Sequence, residues 1–88
     1  MRFELGQVVA TPGAFDFCEE ANVSPSSLIH RHASGNWGEI PPEDARENER
    51  SLKYGWRVMS SYPVGNETIW VLTGADRSAT TLLLPSEY

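Results

Sequence analysis

The sequence predicts an α+β domain: an N-terminal strand, three short helices, then a three-stranded antiparallel meander, with the helices packed on one face of the sheet. Three observations predict it. Apolar residues recur at helical spacing before Gly55 and with a period of two after it. Two pairs, Thr11-Pro12 and Ser24-Pro25, read as helix starts, because Ser and Thr cap well and Pro suits the first helical position. The length of 88 residues suits one core and leaves no room for a second, so residues 1–88 form a single domain.

The first strand is the short apolar run Leu5 to Ala10, stopped by Pro12. The first helix follows, with Ala14, Phe17, Cys18 and Ala21 on one face and Asn22 at its end. In the second helix Leu28, Ile29 and His32 share a stripe, and Ser34-Gly35 closes it. After a turn-rich loop holding Trp37, residues 42–54 form a third helix with early acids and a late Lys53, as the helix dipole prefers. Ala45, Asn48, Glu49 and Leu52 mark its inner side. Gly55 stops it.

Arg57 to Tyr62, Glu67 to Leu72 and Ala79 to Leu84 are the meander strands, with Pro63-Val64-Gly65-Asn66 as the first turn. The N-terminal strand is placed at an edge, beside the last strand. Ile69 and Val71 oppose Trp70 and Leu72, and Leu83 opposes Leu82 and Leu84, so both sheet faces carry apolar side chains. Three short helices cover one face. The other needs a protein partner, a curled sheet or a second copy, which makes a homodimer through the sheet an expectation.

The charge is uneven. The chain carries −5 overall; residues 1–45 hold two basic and seven acidic side chains, whereas residues 46–88 are balanced. A single Lys and scattered Arg residues argue against direct binding of nucleic acid, which needs clustered cations. A protein partner with a basic surface fits better. Cys18 is the only cysteine, so neither a disulfide within the chain nor a cysteine-based zinc site is expected. No run approaches a membrane span and the N-terminus lacks a signal-peptide pattern, so a cytoplasmic protein is expected.

Each candidate site has a plain structural reading beside the functional one. His30 and His32 point about 200° apart on a helix, which disfavours a shared metal. Glu39, Glu43, Asp44, Glu47 and Glu49 alternate with Arg46, Arg50 and Lys53 and read as a solvated helix face. No cofactor and no metal are expected. Asn48 on the inner side is expected to clamp the backbone of the Gly35–Gly38 loop. Trp37 is either an anchor on an exposed loop or a plug on a small core. Asp76 caps a turn and Arg77 is expected to bond it, unless both belong to a binding surface. Catalysis by Asp76, Arg77 and Thr80 with His32 as base is the runner-up, although no spacing of nucleophile and base supports it. Cys18 reads as a small core residue.

The segments LGQVVATPGA (Leu5–Ala14), SPSSLIHRHASGNWGEI (Ser24–Ile40), ENERSL (Glu47–Leu52) and ADRSATTLLLPSEY (Ala75–Tyr88) resemble a family of small "plasmid-related" proteins of bacterial mobile elements. The resemblance covers most of the chain. It implies a setting, an accessory gene on mobile DNA, and no activity or catalytic residues. The chain differs from that pattern at Gly74 and across Phe15-Asp16-Phe17-Cys18.

These readings converge on a non-enzymatic, acidic protein-binding module, with an inhibitor of a host defence system (anti-CRISPR or anti-restriction) as its most specific form. The expected contact residues are Phe15, Asp16, Glu19, Glu20 and Trp37, with Asp76 and Arg77. A small toxin-like nuclease and a transcriptional accessory protein are the alternatives.

Overall fold

A computed structural model describes all residues from Met1 to Tyr88. The chain is α+β. Strand β1 (Gln7–Ala10) leads into helices α1 (Pro12–Glu20), α2 (Pro25–Ala33) and α3 (Pro42–Tyr54). Strands β2 (Val58–Val64), β3 (Glu67–Thr73) and β4 (Ala79–Leu83) follow, and a 3-10 turn (Pro85–Glu87) ends the chain. No helix is long and apolar enough to cross a membrane.

The helix starts form as their sequences dictate. Thr11 accepts a hydrogen bond from the Ala14 amide at 3.1 Å, and Pro occupies the first turn of each helix. Ser24 is different, for its side chain makes no cap bond; Ser27 Oγ donates to the Ser24 carbonyl instead.

The sheet has the order β1-β4-β3-β2. β2, β3 and β4 form the expected antiparallel meander, and β1 lies at the edge beside β4. The β1 pairing is parallel, so the sheet is mixed and not antiparallel throughout. An N-terminal strand reached by no hairpin is free to take either direction, and alternation of side chains does not report which. Gly6 makes the approach possible: it has φ +65°, and a Cβ there would collide with the Ser78 backbone.

Side-chain alternation sends Val58, Ser60, Tyr62, Val64, Ile69, Val71, Thr73, Thr80 and Leu82 to one face, where all are buried. Ala14 and Cys18 of α1 and Leu28 of α2 close the core over them. The expectation that all three helices share this face needs correction, since α3 flanks the β2 edge. Its buried residues are Asn48 and Ser51, and Asn48 reaches the β2 backbone. On the other sheet face Met59, Trp70, Leu72 and Thr81 are half-buried. The Tyr88 ring lies edge-on against Trp70, with centroids 5.6 Å apart.

The first turn of the meander is tighter than its sequence suggests. Pro63 and Val64 belong to β2, leaving Gly65-Asn66 as the turn. Proline is tolerated at this position because β2 is an edge strand.

Candidate functional site

The polar residues of the catalytic runner-up divide between a buried relay and a rigid turn. His32 has no exposed surface. Its Nδ1 lies 2.6 Å from Ser60 Oγ and its Nε2 2.9 Å from Thr73 Oγ1. Thr73 Oγ1 is 2.7 Å from Thr80 Oγ1, which donates to the Leu5 carbonyl at 2.7 Å. A carbonyl only accepts, so the last bond orients the rest. Thr80 donates to Leu5, Thr73 donates to Thr80, and His32 Nε2–H donates to Thr73. Nδ1 then accepts from Ser60. A neutral imidazole in the Nε2–H tautomer satisfies every member. Burial, with Arg77 as a second cause, lowers the His32 pKa to about 4, so the ring is neutral near pH 7.

This relay ties the N-terminal segment, α2, β2, β3 and β4 together. Phe3 packs edge-on against His32 at 5.2 Å between centroids, and Trp37 does so from another side at 6.0 Å. Trp37 is therefore an interior residue, buried and bonded through its indole N–H to Glu49 at 3.2 Å, and the loop-anchor reading gives way to the plug. Arg2 secures the same corner with a two-pronged bond to Glu49 at 2.8 and 3.0 Å, which holds the Glu49 carboxyl below its ordinary range.

Arg77 does not bond Asp76, contrary to expectation. Its guanidinium donates to the carbonyls of Trp56, Gly74 and Ser51 at 2.6, 3.0 and 3.1 Å, so it seals the C-terminal end of α3. Asp76 instead accepts from the Ser78 amide and hydroxyl at 3.0 and 2.8 Å, which lowers its pKa. Neither member of the pair is arranged around an open pocket. Asn48 also departs from its expected partner. Its amide donates to the Met59 carbonyl at 2.7 Å and accepts from the Met59 amide at 3.2 Å, pairing with a strand edge and not with the Gly35–Gly38 loop.

That loop reaches β2 on its own. Gly38 bridges Ser61; the Ser61 amide donates to the Trp37 carbonyl at 3.0 Å and the Glu39 amide to the Ser61 carbonyl at 2.8 Å. Gly38 has φ +77°, and a Cβ there would strike the Ser61 carbonyl.

The expected contact residues of α1 lie together at the surface. Phe15, Asp16, Glu19 and Glu20 are all exposed and occupy one continuous arc of the helix, opposite Ala14 and Cys18. None of the three acids forms an ion pair. Phe15 is 50% exposed among them. Cys18 is buried, and desolvation raises its thiol pKa, which suits a core residue.

Two surfaces have no counterpart in the reading of the sequence. Tyr54 and Trp56 form an exposed aromatic pair, 5.4 Å between centroids, with the Lys53 ammonium 5.4 Å from the Tyr54 ring. Val8 and Val9 are exposed on β1 beside a groove of about 410 Å³ lined by Ala10, Pro25 and Ile29. Compared with models of protein families, with curated proteins and with solved structures, the chain matches none.

Proposed function

We propose that the protein is a non-enzymatic binding module that docks on another protein with a basic surface through α1. The observation that carries this reading is the exposed Phe15 set within three unpaired carboxylates, Asp16, Glu19 and Glu20. An aromatic anchor supplies affinity on desolvation, and the surrounding acids steer a basic partner and select its orientation. The net charge of −5 acts in the same sense at longer range. The resemblance to small proteins of mobile elements supplies the setting, and an inhibitor of a host defence system, of the anti-CRISPR or anti-restriction kind, fits both. The enzyme alternative gains no support from His32 and Thr80, whose polar atoms are engaged with one another inside the core.

The test is capture from a host lysate at graded salt, with wild-type bait beside a triple charge reversal, Asp16→Lys, Glu19→Lys and Glu20→Lys. The reading predicts salt-sensitive capture of a basic protein that the reversal abolishes. Capture that the reversal leaves intact would overturn it.

A further inference from the structure

The two edges of the sheet differ in a way that identifies an interface. On β2 the outward backbone groups are those of Met59, Ser61 and Pro63. Met59 is paired by the Asn48 amide, Ser61 by the Trp37–Glu39 segment, and Pro63 has no N–H to offer. Only the Pro63 carbonyl is left without a partner on that edge. On β1 the Gln7 and Thr11 amides donate to the Ser78 and Leu82 carbonyls of the neighbouring chain segment. Alternation along a strand therefore turns the N–H and C=O of Val8 and Ala10 outward. No bond within the molecule outside the ladder engages them, and all four residues of β1 are exposed. The strand has no charge, no proline and no covering side chain, the usual means of blocking an edge. The whole stretch Leu5–Ala14 is uncharged.

We infer that two copies of this chain associate by pairing β1 with β1 antiparallel across a two-fold axis at Val9, joining the sheets into one of eight strands. The register follows from which groups are free. Val8 of one copy exchanges both backbone bonds with Ala10 of the second, and Ala10 with Val8, giving four hydrogen bonds. Val9 then faces its own copy as a non-hydrogen-bonded pair. Val8 lies opposite Thr80 and Ala10 opposite Leu82, so both project toward the helical face. The second copy's Val8 consequently enters the groove beside Ala10, Pro25 and Ile29. The two neutral strands meet without like charges at the seam, so an uncharged, self-complementary strand is matched by a second copy better than by a basic peptide. Such a short seam belongs to the small class of interfaces, below roughly 1,200 Å² in total, so the dimer exchanges with monomer. The inference is independent of docking through α1, which leaves that surface free.

Sedimentation equilibrium of the full chain, from low micromolar to millimolar concentration, reads the association directly. A monomer–dimer equilibrium is expected. Val8→Pro removes an outward N–H and no bond to β4, and is expected to weaken association by about tenfold or more while leaving the urea midpoint in place. Val9→Cys provides a second readout. In the proposed pair the two Cα atoms lie about 4.5 Å apart, within the span of a disulfide. Mild oxidation is expected to cross-link Val9→Cys, and Val8→Cys far less, because position 8 faces position 10 of the second copy. The buried Cys18 stays out of the reaction. A chain that remains monomeric at millimolar concentration, association that Val8→Pro does not change, or equal cross-linking at positions 8 and 9 would each overturn the inference.

Discussion

Along the outer edge of β2, a side-chain amide from α3 and a glycine loop occupy the backbone groups that a free edge would present, and a proline removes another. Along β1, at the opposite end of the same sheet, the backbone groups of Val8 and Ala10 face outward with neither charge nor cover. The β2 edge, α3, His32 of α2 and the N-terminal corner are held by polar bonds of fixed direction. The β1 edge and the outer arc of α1 present exposed apolar residues and acids to the surroundings. The inner face of α1 belongs to the shared core, whereas its outer arc and the β1 edge carry the proposed recognition surfaces, so substitutions there and in the polar network should have separable effects.

The largest loss of stability is expected at the centre of the polar region. His32→Ala leaves the Ser60 and Thr73 hydroxyls beside a cavity and should cost about 3–5 kcal/mol by urea denaturation. Acid should act on the same residue. Unfolded histidine takes up a proton near pH 6.5, whereas folded His32 resists until about pH 4. The unfolded state therefore binds more protons between those values, and stability falls as pH drops through the window, by about 3 kcal/mol in all. Below that window the loss from His32 levels off. Glu49, Asp76 and Glu87, whose pKa values are lowered by their bonds, add a further loss at lower pH. Denaturation across pH 4–7, with ring ¹⁵N shifts reporting a neutral Nε2–H tautomer at pH 6, checks both parts.

A smaller effect is expected at the β2 edge. Asn48→Ala releases two bonds to Met59 and should cost about 1–2 kcal/mol, with self-association unchanged because the Trp37–Glu39 segment and Pro63 still block the rest of the edge. Asn48→Asp sets a buried carboxylate oxygen against the Met59 carbonyl, and should cost more than alanine. The smallest change is expected on α1, where the triple reversal of Asp16, Glu19 and Glu20 should alter stability by less than about 0.5 kcal/mol. Its effect should appear in capture alone. A large stability change there would erase the proposed division.

Much of this fold is legible in the sequence where the signal is local. Helix α3 runs from Pro42 to Tyr54 as its proline start and Gly55 stop require. The inner faces of α1 and α2 follow from Ala14, Cys18, Leu28 and His32. What depends on distant neighbours is not written locally. A helical pattern assigns Asn48 to the inner side without saying that a strand edge waits there. Pro63 argues against a strand until β2 is known to be an edge. The parallel direction of β1 leaves no mark on its period. The relay around His32 did leave one: Ser60, Thr73 and Thr80 stand in phase with Val58, Val71 and Leu82, so polar groups were directed into the core beside a histidine. The surfaces are the least legible, because exposure of Val8, Tyr54 and Trp56 depends on what the rest of the chain leaves uncovered.

Backbone amide exchange, followed residue by residue at low and high protein concentration, tests the contrast between the edges most directly. In the dilute protein the Met59 and Ser61 amides should exchange slowly and those of Val8 and Ala10 quickly. At high concentration Val8 and Ala10 should gain protection, while Met59 and Ser61 stay as they were. Equal exchange at the two edges in dilute solution, or no gain at Val8 and Ala10 on concentration, would contradict the account.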